Sequence, residues 1–145
     1  MRAVIQRVGK TVLSVDGRLI SEIGCGLAVY LGVGTEDSEK NAETMAKKIA
    51  ALRVFEDENG KMNLSVREAG GEILLISQFT LYGDCSRGNR PSFTQAARPE
   101  QAEPLYELTA SLLREKGLSV KTGVFGADMK IDQHNDGPVT ILYEC

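Results

Sequence analysis

Two short polar stretches carry the residue types that could do chemistry in this 145-residue chain. The first is Ser77-Gln78-Phe79-Thr80, directly after the apolar run Ile73-Leu74-Leu75-Ile76. Its two hydroxyls and one amide offer nucleophiles, donors and acceptors. Leaving such a group buried and unpaired costs about 1–3 kcal/mol. Three of them at the end of a buried run imply a satisfied hydrogen-bond cluster, the floor of a binding site, or a strand running out into a polar turn, and the stretch alone leaves all three open. The second stretch is His134-Asn135-Asp136-Gly137-Pro138. Asn, Asp, Gly and Pro are turn residues, and a cis X-Pro bond lies only about 0.5–1 kcal/mol above trans. With Gly137-Pro138 cis, two successive carbonyls could face the same way as a rigid acceptor surface. A Ser77-His134-Asp136 triad can be written on paper, but the GxSxG elbow is absent and geometry, not inventory, defines a triad.

The elements that must position these residues follow from pattern. Ile73–Ile76 is too short and too branched for a helix and reads as a central strand buried on both faces. Leu27–Val33 is a second such run. Met1–Val8 and Thr11–Val15 read as strands. Asp16-Gly17 before Arg18–Ile23 is a hairpin signal, because a type I′ turn needs positive φ at both central positions. Thr35, Asp37 and Ser38 are alternative N-caps for a helix over 39–52, whose Ala42, Met45, Ala46 and Ile49 form one apolar stripe. Asp57–Gly60 is a turn, and Met62–Val66 a short edge strand. Residues 83–98 show no periodicity; a loop that long in a compact domain is usually functional or mobile. Pro99 opens a second helix with Leu105, Leu108, Leu112 and Leu113 as its stripe and Gly117 as its stop; Pro104 fits only within the first turn. Val120–Phe125, Ala127–Ile131 and Val139–Tyr143 read as strands, with His134–Pro138 a turn before the last. Mostly hairpin-like links and two helices predict one α+β domain over residues 1–145: an antiparallel or mixed sheet, curled towards a barrel, with both helices packed on it.

Bulk properties narrow the class further. A formal charge of −3 excludes an overall basic footprint for nucleic acid and leaves only a local patch. Lys47 and Lys48 on the first helix, with Arg87, Arg90 and Arg98 in the long loop, are the candidates. Three distant cysteines without CxxC spacing fit free thiols in a reducing compartment. With His134 the single histidine, a multi-histidine zinc site within one chain is excluded. No metal or other cofactor is expected. The N-terminus enters strand sequence at once and no apolar run reaches membrane-spanning length, so a soluble cytoplasmic protein is expected.

Ser77-Gln78-Phe79-Thr80 together with Asn135-Asp136-Gly137-Pro138-Val139-Thr140 resembles the paired signature of the bacterial-type D-aminoacyl-tRNA deacylases, first described as D-tyrosyl-tRNA deacylases. Met1–Val8, Gly88–Phe93, the length and the order of elements agree with that family. The resemblance implies hydrolysis of the ester joining a D-amino acid, or glycine mischarged on tRNA-Ala, to the 3′-terminal adenosine of tRNA. It implies catalytic residues Ser77, Gln78, Phe79 and Thr80, and a homodimer in which Gly137-Pro138 of one subunit reaches the other's pocket and excludes L-amino acids. It suggests that Arg7 pins the Gly-Pro segment and that Asn135 supports it; Arg7 as an exposed strand residue is the plainer reading. Phe79 reads equally as core or as a wall of the adenosine pocket. Thr80 is a nucleophile candidate without an obvious base; water assisted by the ribose 2′-hydroxyl, with main-chain N–H groups at Phe79 and Thr80 holding the oxyanion, is the favoured chemistry. Two other classes stay open: a non-catalytic module that docks the tRNA 3′ end, and a small-ester hydrolase that uses Thr80 without tRNA.

Overall fold

The computed structural model describes residues 1–145. Its elements are β1 (Arg2–Val15), β2 (Arg18–Ile23), β3 (Gly26–Gly32), α1 (Glu39–Ala51), β4 (Arg53–Glu56), β5 (Met62–Ser65), β6 (Glu72–Ser77), a 3-10 turn (Phe79–Tyr82), α2 (Pro99–Glu115), β7 (Val120–Thr122) and β8 (Lys130–Glu144). The main sheet runs β2-β1-β3-β6-β7, with β8 on the free side of β1. β1 is antiparallel to β2, β3 and β8, whereas β3-β6 and β6-β7 are parallel. The Ser21 hydroxyl donates to the Thr122 carbonyl at 2.7 Å, drawing β7 back towards β2 and nearly closing the sheet into a barrel. This is the expected α+β architecture, with a mixed sheet.

Alternation along the central strands divides the core. Leu27, Val29, Ile73 and Leu75 face the helices and meet Ala42, Met45, Ile49, Leu105, Tyr106 and Leu113. Ala28, Leu74 and Ile76 point to the other face and pack with Val8, Leu13 and Ile23. β3 and β6 are therefore buried on both faces, as their unbroken apolar runs predict. Asp16 and Gly17 have φ of 50° and 74°, the type I′ geometry of the predicted hairpin. Ser38 caps α1 through a capping box with Asn41.

Several expectations are corrected. β1 is one 14-residue strand, because β8 pairs along both of its halves and register shifts between Val8 and Thr11 absorb Gly9-Lys10. His134–Pro138 is not a turn but part of the 15-residue β8. Val120–Phe125 is a strand only to Thr122, and Ala127–Met129 lie before β8. Arg53–Glu56, left unassigned by the sequence, pairs with β5 as a separate hairpin. Pro104 sits inside α2, beyond its first turn. The α2 stripe is Ala102, Leu105, Tyr106, Thr109, Ala110 and Leu113, rotated from the predicted leucines.

Candidate active site

β6 delivers Ser77 and Gln78 to one end of the sheet. Ser77 pairs with Leu31, and the Gln78 N–H donates to the Leu31 carbonyl at 2.8 Å. The chain then tightens into the 3-10 turn. Tyr82 anchors it: the ring is buried, its hydroxyl donates to Asp37 at 3.2 Å, and the Arg2 guanidinium lies 4.5 Å from the ring centroid. Glycine is required beneath it. A Cβ on Gly34 would come within 2.7 Å of the Tyr82 hydroxyl, and one on Gly32 within 2.9 Å of the Gln78 carbonyl.

Ser77, Gln78 and Phe79 border a cavity of about 500 Å³. Leu31, Val33 and Ile76 line it from the sheet, Ala102 and Tyr106 from α2, and Phe125 from the segment before β8. Asp128 is its one charged lining residue. An apolar hollow with a few polar groups at one end is the usual form of a small-ligand site. Tyr106 is held neutral, its hydroxyl pushed up well above the ordinary phenol range by burial, and it donates to the Leu75 carbonyl at 2.8 Å.

The polar stretch is partly self-satisfied. The Gln78 amide donates to the Thr80 hydroxyl in a short contact. An amide is not a base, so this contact does not activate Thr80 as a nucleophile. Phe79 and Thr80 open the 3-10 turn, so their N–H groups have no acceptor within it. The core reading of Phe79 is overturned: its side chain is 57% exposed and stands edge-on to Phe93, with ring centroids 5.0 Å apart.

Gly137-Pro138 is cis and exposed, and it does not line the cavity. Register fixes the separation. Ser77 lies in the row of Leu31, Ala3 and Tyr143. Gly137 lies six residues before Tyr143 on β8, but a bulge between Gln6 and Val8 sets it opposite Arg7, four β1 residues from Ala3 and about 13 Å along the strands at ~3.3 Å per residue. One chain therefore keeps the two polar stretches apart. Arg7 is no exposed strand arginine. It is 7% exposed; its Nε donates to the Asp136 carbonyl at 3.3 Å and lies 3.1 Å from the Asp136 carboxylate in an ion pair. Its Nη1 donates to the Val54 carbonyl at 2.8 Å. Asn135 accepts from the Gln133 amide, which also bonds Gln6. His134 lies beside Gly9, still farther along β8 from Ser77, and Asp136 is held by Arg7. No Ser77-His134-Asp136 triad forms within the chain. No group of three or more His, Cys, Asp or Glu is placed to hold a metal ion, and no helix is long and apolar enough to cross a membrane.

The sequence did not reveal the cavity's far wall. Ala102 and Tyr106 were hidden in a helix whose leucines drew the stripe elsewhere. The turn at 125–129 was masked by an apparent strand alternation.

A family model described as D-Tyr-tRNA(Tyr) deacylase matches residues 4–144. The chain belongs to that family. D-Tyr-tRNA(Tyr) deacylases are enzymes, hydrolases that act on aminoacyl-tRNA. Relatives named D-aminoacyl-tRNA deacylase include one from Brevibacillus brevis, 57% identical over 144 residues and 99% of both chains. Another, from Thermotoga petrophila, is 55% identical over 99% of this chain and 97% of its own. Among solved structures, one described as a c-Myc DNA unwinding element binding protein superposes with a TM-score of 0.94 at 46% identity, covering 100% of this chain and 99% of its own. A probable eukaryotic D-amino acid tRNA deacylase has the same fold, with a TM-score of 0.84 at 17% identity over 98% of this chain and 97% of its own.

Proposed function

We propose that this chain removes D-amino acids from tRNA by hydrolysing the ester to the 3′-terminal adenosine, and that glycine on tRNA-Ala is released at the same site. The observation that carries the reading is the largely apolar cavity ending on Ser77–Phe79, in a chain matched to a deacylase family almost from end to end. The terminal adenosine enters this cavity, and Phe79, exposed at its edge, forms one wall.

Water attacks the ester carbonyl with help from the ribose 2′-hydroxyl. The N–H groups of Phe79 and Thr80 hold the oxyanion, while Ser77 and Gln78 orient that turn. The bond from the carbonyl carbon to ribose O3′ then breaks, leaving free amino acid and tRNA. The lack of a base at Thr80 supports a route without a side-chain nucleophile.

Selection by chirality needs a second copy. Gly137-Pro138 is exposed, buttressed by Arg7 through Asp136, and about 13 Å along the strand direction, and three strands across the sheet, from its own Ser77. In a homodimer it enters the partner's cavity, where it blocks the α-substituent of an L-amino acid and leaves room for that of a D-amino acid. Glycine passes because it has no side chain to block.

The test is amino-acid release from matched D-tyrosyl- and L-tyrosyl-tRNA at catalytic protein concentration. Loss of the D ester alone is expected. Equal loss of both would leave a hydrolase and remove the exclusion step. Loss of neither from folded protein would favour a module that docks the tRNA end without cleaving it.

A further inference from the structure

We infer that Arg87, Arg90 and Arg98 form a phosphate-binding rim that holds the single-stranded 3′ end of the tRNA against the cavity, an inference that rests on the deacylase reading above. A chain of net charge −3 must meet a polyanion through a local patch, and the structure divides the cations of the sequence into two groups. Lys47 lines a shallow groove with Arg67 and Lys116. Lys116 follows the end of α2, while Pro99 at its start lines the cavity. Seventeen helical residues place the two ends about 25 Å apart. Lys48 stacks on Tyr143, 5.2 Å from the ring centroid. The lysines are therefore remote from the ester or already engaged.

The arginines stand at the cavity. Arg98 is the N-cap of α2, exposed between Ala97 and Pro99, both of which line the cavity. Arg87 and Arg90 project from a loop whose base is closed by paired backbone bonds between Asp84 and Ser92 at 2.8 and 2.9 Å. That base adjoins the catalytic turn: the Phe93 ring meets Phe79, and Gly83, which continues the turn, packs near Phe93 and Pro91. The loop's own acid forms no ion pair with its cations. The Asp84 carboxylate accepts from the Ser86 N–H at 2.8 Å, which holds its pKa below the usual aspartate range. None of the three arginines forms an ion pair. All are exposed, so their guanidinium forks are free for bidentate contact with phosphate.

The experiment compares two substrates, D-tyrosyl-tRNA and 3′-O-D-tyrosyl-adenosine, which keeps the ester and the adenosine but has no phosphodiester. For Arg87→Gln/Arg90→Gln/Arg98→Gln, kcat/KM on the tRNA ester is expected to fall at least tenfold further than on the adenosine ester. The slope of log kcat/KM against log salt should flatten by about 2, since each lost contact to a single strand removes roughly 0.7. A control with the same charge change elsewhere, Lys47→Gln/Lys48→Gln/Lys116→Gln, should retain the wild-type ratio and slope. Equal loss on both substrates, or equal loss in the control, overturns the rim. A wild-type protein that cleaves neither ester overturns the deacylase reading itself, a result distinct from cleavage of both with an unchanged ratio.

Discussion

At the scale of single residues, Arg7 shows what its own strand could not reveal. Alternation on β1 places Arg7 on the face of the buried Ala3 and Ile5, and there its charged side chain is covered. The cover is the β4-β5 hairpin, whose Val54 carbonyl and Glu56 face it; its turn and β5 were legible, but β4, which makes these contacts, left too little pattern in the sequence to be read. Asp136 and Glu56 are more than half exposed, so their charges are screened and add little. The buried bond to Val54 dominates. Arg7→Ala should therefore cost about 1–3 kcal/mol, measured by urea unfolding, and should reduce D-over-L discrimination more than it reduces turnover. Thr80 was legible as a hydroxyl without an obvious base; the structure adds that it accepts a hydrogen bond from the Gln78 amide. Thr80→Ala is expected to lower kcat by less than about tenfold, while a substrate whose terminal adenosine lacks the 2′-hydroxyl loses nearly all reactivity. Single-turnover rates on both would check this; a dead Thr80→Ala protein that is fully folded, beside a reactive 2′-deoxy substrate, would return the nucleophile to Thr80.

At the scale of elements, the sequence announced β3 and β6 through unbroken apolar runs but did not state that they run parallel. Their contact depends on one residue without a side chain. A Cβ on Gly26 would stand 1.9 Å from the Glu72 carbonyl oxygen, with backbone that cannot yield without breaking the ladder. Gly26→Ala should cost about 3 kcal/mol or more, at or above the upper end of ordinary overpacking, and a normal unfolding midpoint would contradict the β3-β6 register. Turn chemistry misled in part at β8: Asn-Asp-Gly-Pro has the composition of a loop, and Asp136–Val139 do bulge out of the ladder, but pairing to β1 at Asn135 and Thr140 keeps them within one strand. α2 meets the sheet through Tyr106, whose folded pKa lies above its ordinary value of 10.0. The folded protein holds this proton after the unfolded chain has lost it. Its contribution is complete below pH 10 and is lost as pH rises above that value. Thermal unfolding followed from pH 8 to 11 should show the decline beginning near 10, and Tyr106→Phe should lessen it.

At the scale of the whole molecule, the separation of the two polar stretches is the central fact. Sequence placed both stretches in the chain, but distance along a sheet is invisible until the register is known. With Ser77 in the row of Tyr143 and Gly137 six residues away on β8, one copy cannot bring them together without breaking β1-β8 pairing. Two copies related by a two-fold axis can exchange the motif reciprocally, which is the geometry of an isologous dimer. This gives a complementation test. Gly137→Ala/Pro138→Ala disturbs the motif, since Gly137 has φ of 124° and a Cβ there would come within 2.8 Å of Val139; its cavity should accept L-tyrosyl-tRNA. Ala102→Phe fills the cavity but leaves the motif intact, and should be inactive. Co-expressed with the second in excess, most motif-defective subunits are paired with an intact motif. The surviving activity should then recover its preference for the D ester, although neither parent has selective activity of its own. If the mixed dimers form and L-tyrosyl-tRNA is still cleaved as fast as by the motif variant alone, the exclusion surface belongs to the cavity's own chain and the exchange is wrong.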